Sequence, residues 1–115
     1  LETLNIGQVI SNFETEIFKQ TDILILSIKP QDFDSIKEKL GQSLNKNTTI
    51  ISIMAGKTIK TLYTQLKHPF IVRAMPNSPA MVGMGITAYV IHPSIEVSRL
   101  QKVEKVLNAA GCSVF

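Results

Sequence analysis

Little in this 115-residue chain can be cross-linked, chelated or threaded through a bilayer. It has one cysteine, Cys112, which excludes an internal disulfide. No Cys–Cys or Cys–His spacing suggests zinc, so a reducing compartment is expected. No apolar stretch approaches the ~20 residues of a membrane helix, and no charged leader with a cleavage site opens the chain. The expectation is a cytoplasmic protein without a membrane partner. Twelve Lys and Arg against nine Asp and Glu give +3, scattered with no like-charge run and no aromatic residues interleaved with basic ones. That pattern disfavours nucleic acid, and no nucleic-acid partner is expected.

Several catalytic signatures are also missing. Gly56-Lys57-Thr58 looks like the end of a P-loop, but the glycine required five positions earlier is Ile51, so no phosphate cradle forms. No glycine-flanked nucleophile elbow exists, and neither histidine has an acidic partner in sequence, which leaves serine-hydrolase chemistry unsupported. A paired-carboxylate mechanism has no anchor. His68 and His92 each precede a proline and read as turn or surface histidines.

What is present is an alternation of β-branched runs with helical periodicity, long enough for one compact core. Ser11-Asn12-Phe13-Glu14 has capping-box spacing and predicts a helix to about Gln20, with Phe13, Ile17 and Phe18 inward. Ile23 to Ile28 is a continuous apolar run of the kind buried on both faces of a parallel sheet. After Pro30, Phe33, Ile36, Leu40 and Leu44 recur at helical spacing, with Gly41 weakening the last turn. Thr48 to Ile53 predicts a second strand ending at Met54-Ala55-Gly56. Thr58 caps a helix with Ile59, Leu62, Tyr63 and Leu66 on one face. Phe70 to Ala74 begins a strand that Pro76, Pro79, Gly83 and Gly85 convert into a long loop. Ile86 to Ile91 forms another. Ser94 then caps a helix with Val97, Leu100, Val103, Leu107 and Ala110 inward, and Gly111 releases a final strand. Such alternation with short connections predicts an α/β fold, a mostly parallel sheet with helices on both faces.

In open α/β sheets, ligands collect outside the carboxyl ends of the strands, which directs attention to the Lys29-Pro30 corner. Three segments follow in order: Ser27-Ile28-Lys29-Pro30, Ser52-Ile53-Met54-Ala55-Gly56, and Arg73-Ala74-Met75-Pro76-Asn77-Ser78-Pro79-Ala80 with Val82-Gly83 and Gly85-Ile86-Thr87-Ala88 behind it. Together they resemble pyrroline-5-carboxylate reductase, the family that makes proline by reducing a cyclic imine with NADPH or NADH. The similarity runs from about Leu1 to Phe115.

The resemblance implies a partial, Rossmann-like NAD(P)-binding domain over residues 1–115. The family's first strand and glycine-rich turn would precede Leu1, and its helical dimerisation domain would follow Phe115. The chain is therefore expected to be an inactive fragment of a homo-oligomeric enzyme whose small-molecule substrate is 1-pyrroline-5-carboxylate. Residue by residue, Ser27, Ile28, Lys29 and Pro30 would border the nicotinamide half of the cofactor, and Ile53, Met54 and Ala55 would do so on the next strand. Asn12 matches the family asparagine that contacts the cofactor, although a helix cap accounts for it equally. Asn77 reads as a rigid loop residue beside the site. No catalytic residue and no metal ligand is assigned. Two alternatives stay open: another NAD(P)- or deazaflavin-dependent dehydrogenase of the same architecture, and a reductase-like binding or regulatory module without catalysis.

Overall fold

The computed structural model describes residues 15–76, 85–109 and 111–114. Its elements run α1 (Thr15–Lys19), β1 (Ile23–Leu26), α2 (Pro30–Ser43), β2 (Thr49–Ser52), α3 (Ile59–Leu66), β3 (Ile71–Pro76), β4 (Gly85–Ile91), α4 (Val97–Asn108) and β5 (Gly111–Val114). The strands form one sheet in the order β1-β2-β3-β4-β5. Three of its pairings are parallel, and β3–β4 alone is antiparallel, in register from Val72 opposite Ile91 to Pro76 opposite Thr87. The expected mostly parallel α/β sheet is the fold observed.

The reversal at β4 explains where the helices go. Crossovers between parallel strands are right-handed. With β1, β2 and β3 pointing one way, α2 and α3 fall on one face; β4 and β5 point the other way, so the same handedness carries α4 to the opposite face. The side chains of β2 record this split. Ile50 belongs to the core of Phe33, Leu40, Leu62, Leu66 and Ile71, whereas Ile51 joins Val72, Ala74, Val103 and Leu107 under α4. Phe33 and Leu62 are fully buried, and each such side chain contributes roughly 1.5–3 kcal/mol by leaving water. Tyr89 of β4 fastens α4 by donating to Glu104 at 2.9 Å.

Several expectations are corrected. The Ile23–Ile28 run is not buried on both faces: β1 stops at Leu26, pairs only with β2 among the described residues, and leaves Ile25 49% exposed. Helix α1 does turn Ile17 and Phe18 inward, with Phe18 packed against the core, although neither is fully buried. Gly41 lowers helix propensity near the end of α2, yet the helix runs on to Ser43. A Cβ there would stand 2.9 Å from the Leu66 carbonyl oxygen, so glycine permits α2 and α3 to touch backbone to backbone. Tyr63 faces outward and stacks on His92, with ring centroids 4.7 Å apart and planes 4° from parallel. Val97 is 72% exposed, and α4 is preceded by Glu96 rather than capped by Ser94, whose N–H instead donates to His92 Nδ1. His68 is buried, not a surface histidine. The Ser11–Glu14 capping box, Phe13, Ala110 and most of the loop after Met75 lie outside the described residues.

Candidate functional site

Two strands that finish level with each other create the site. Leu26 and Ser52 are the last paired residues of β1 and β2, and the Ile53 N–H reaches back to the Leu26 carbonyl at 3.1 Å. Beyond that bond the chains part. On the first side, Lys29 is extended and Pro30 takes the first helical position of α2, where a missing N–H costs nothing. The Lys29 carbonyl accepts from the Asp32 and Phe33 N–H groups, both at 3.0 Å. On the second side, the buried Ser52 hydroxyl accepts from the Met54 N–H at 3.2 Å, and Met54 drops into the α2–α3 core. Its neighbours Ile53 and Ala55 are left exposed. Gly56 completes the turn at φ +76°, a conformation that disfavours a side chain.

Between these two lips lies an open hollow of about 520 Å³, lined by Ser27, Ile28, Lys29, Pro30, Asp32, Ile53, Met54 and Ala55. Its walls mix the apolar Ile28, Ile53, Met54 and Ala55 with one cation, Lys29, and one carboxylate, Asp32, in the first turn of a 14-residue helix. Among the described residues Lys29 is exposed and has no ion-pair partner. Lys57, by contrast, is engaged: its Nζ donates to Asp34 Oδ1 at 2.8 Å. That hydrogen bond and the lysine charge hold the Asp34 carboxyl below its ordinary range, against a smaller opposing effect of burial. Apolar walls, small residues at one lip and a free cation suit a flat ring attached to an anionic chain.

Seven of the eight residues singled out in the sequence are thus gathered around one hollow. Asn12 and Asn77 lie outside the described residues. Asp32 went unread, although a carboxylate two residues past a helix-opening proline was a usable signal, because first-turn carboxylates sit beside the helix N-terminus. Among the described residues no group of three or more His, Cys, Asp or Glu could hold a metal ion.

A second depression, about 180 Å³, lies at the opposite end of β1 and β2 and includes Asp22, Asn47, Thr49, Glu96 and Arg99. Several of its polar groups bond one another, while the buried Arg99 Nε makes no hydrogen bond and lies 3.6 Å from Glu96 Oε1. Arg99 donates to the Asn47 carbonyl at 2.5 Å and to Thr49 Oγ1 at 2.9 Å, with its guanidinium 3.6 Å from the Phe70 ring centroid. Beside it, His68 Nε2 lies 2.5 Å from the Thr48 carbonyl oxygen. A carbonyl only accepts, so Nε2 carries the proton. Burial pushes the His68 pKa down, the Thr48 bond opposes this, and the Arg99 charge adds to the lowering. This end is a structural clamp.

The sheet, the helix arrangement and a hollow at the carboxyl ends of adjacent parallel strands define a Rossmann-like fold of the dinucleotide-binding kind. A family profile described as NADP oxidoreductase coenzyme F420-dependent matches residues 2–56. Among curated proteins, pyrroline-5-carboxylate reductase of Escherichia coli (strain K12) is 38% identical over 98 residues, 84% of this chain and 35% of that protein. The Synechocystis reductase is 34% identical over 91 residues, 79% of this chain and 34% of its own length. The crystal structure of pyrroline carboxylate reductase from Plasmodium falciparum with NADP bound superposes with a TM-score of 0.78 at 26% identity, covering 87% of this chain and 38% of that one. Prephenate dehydrogenase from Aquifex aeolicus, at TM-score 0.69 and 16% identity, shares the fold. The chain spans about a third of the length of the curated relatives it matches. Over that third, its likeness to the pyrroline-5-carboxylate reductases is shown in both sequence and fold.

Proposed function

We propose that this chain is part of the nucleotide-binding domain of an NAD(P)H-dependent reductase that converts 1-pyrroline-5-carboxylate to L-proline. The observation that carries the reading is the convergence of Ser27, Ile28, Lys29, Pro30, Ile53, Met54 and Ala55 on one hollow at the carboxyl ends of β1 and β2. These residues would hold the nicotinamide half of the cofactor. A reduced nicotinamide supplies hydride, here to the carbon of a C=N bond. The chain's own contribution is placement: Ile53 and Met54 give the ring an apolar support, Ala55 and Gly56 keep that lip low, and Lys29 offers a cation to phosphate or carboxylate. The 115 residues alone are expected not to turn over substrate. Cytoplasmic location and assembly into a homo-oligomer belong to the same reading.

The profile match over residues 2–56 favours one second reading, a deazaflavin-linked oxidoreductase. That match stops before Arg73-Ala74-Met75-Pro76-Asn77, the segment whose likeness is to the proline-forming reductases. The deciding experiment expresses the complete reading frame and follows NADPH consumption with 1-pyrroline-5-carboxylate. Turnover to proline is the expected result, and folded protein that consumes neither NADPH nor NADH would overturn the assignment. In the same protein Lys29→Met is expected to weaken cofactor binding; unchanged affinity removes Lys29 from the site.

A further inference from the structure

We infer that Lys57 is a positioning residue for the hollow, locking the turn after β2 onto helix α2 through Asp34; the inference rests on reading the hollow as a cofactor ledge. The turn at Ala55–Gly56 has little else to hold it. Both residues are exposed, and nothing lies within 4 Å of where a Gly56 Cβ would be. Before the turn the chain is anchored by the Ile53 N–H bond to Leu26 and by Met54 in the core; after it, Thr58 caps α3 by accepting from the Thr61 N–H at 3.1 Å. Lys57 supplies the tie between the two lips beyond the strand ends. Its side chain is 14% exposed, its Nζ lies 2.8 Å from Asp34 Oδ1, and it sits 5.5 Å from the centroid of the buried Phe33 ring.

The consequence is geometric rather than electrostatic. Pairing with Asp34 neutralises Lys57 and leaves Lys29 and Asp32 as the charged groups lining the hollow. What Lys57 fixes is the distance between the Lys29-Pro30 corner and the Ala55 lip, and a ring held between two edges is sensitive to small changes in their separation.

The test titrates the protein expressed from the complete reading frame with NADPH and, separately, NADH, following ¹H–¹⁵N amide shifts at Ile28, Lys29, Ala55 and Gly56, in the wild type and in Lys57→Met, Asp34→Asn and the exchanged pair Asp34→Lys/Lys57→Asp. Either single change is expected to weaken apparent affinity about three- to fivefold, the scale of one partly exposed ion pair, with melting temperature nearly unchanged. The exchanged pair is expected to recover to within about twofold, and the nearly unchanged melting temperature of the single variants separates this from a loss of fold stability. Equal affinity in all four proteins overturns the positioning role and leaves the ledge standing. Weakening also overturns it if repaired neither by the exchange nor by the exchange combined with Lys37→Met, which removes the cation 3.8 Å from Asp34 Oδ1. A wild type whose amide shifts stay flat with both coenzymes overturns the ledge and the inference together.

Discussion

At their amino ends β1 and β2 are stitched to the elements around them, whereas at their carboxyl ends the same strands part. On the closed side, Thr48 Oγ1 donates to the Thr21 carbonyl at 2.6 Å, Asn45 Nδ2 to the Lys19 carbonyl at 2.8 Å, and Arg99 reaches from α4 to both Asn47 and Thr49. His68 and Phe70 fill the remaining space with their rings 82° apart. On the open side, one backbone bond and the Lys57–Asp34 pair hold the lips. Polar side chains that satisfy one another rigidify a structure. The contrast teaches that, among the described residues, side-chain hydrogen bonds gather at the amino ends of β1 and β2 and are few around the hollow.

Variants can break this contrast. The largest effect is expected from Arg99→Met, which removes two charged hydrogen bonds and the stack on Phe70 and should cost about 2–3 kcal/mol in denaturant unfolding. A loss no greater than that of an ordinary surface substitution would mean the closed end is not a clamp. Gly41→Ala tests the same end from the helices. The new methyl must push the Leu66 backbone away, offsetting the helix propensity gained, for a net loss of about 1–2 kcal/mol; a stabilised variant would show that α2 and α3 separate freely.

Acid sharpens the comparison further. The folded-state pKa of His68 lies below the ordinary 6.5 because burial disfavours its charged form. Its contribution to stability is therefore complete above about pH 6.5 and is lost as pH falls below that value toward the lowered folded pKa. Melting temperature followed from pH 7.5 to 5 should decline in the wild type, and His68→Phe should flatten the decline. The smallest change in stability is expected from Lys57→Met on the open side. Its melting temperature, measured beside that of Arg99→Met, should fall far less, and equal losses would erase the difference between the two ends.

Much of the frame was legible because local signals agreed with one another. Pro30 opens α2, Thr58 caps α3, and Phe33, Leu40, Leu62 and Leu66 recur at helical spacing; all four of these apolar residues are buried. The strand-end residues of the hollow were readable because each apolar run stops abruptly at residues that turn the chain. What stayed hidden depends on contacts across the sequence. Gly41 reads as a weak point along α2 and becomes a contact surface only when Leu66 lies against it. His68 looks like a turn residue beside Pro69, and its burial follows from Arg99, Phe70 and Thr48, which approach it from other elements. Tyr63 fits the apolar stripe of α3 by spacing, yet its partner is His92, 29 positions away on the far side of β3. The reversal of β4 leaves no mark in the strand itself, since an apolar run reads alike in either direction; its mark is the connection before it, eight positions without a helical pattern, too short for the crossover a parallel neighbour needs.

That reversal leaves the five strands lying in the same succession along the sheet as along the chain. Among the described residues no strand has to be slipped between two already joined, so each of these strands finds its neighbour at the growing border, after closing only the single connection that precedes it. Assembly can then proceed by accretion, with the order of synthesis doubling as the order of docking.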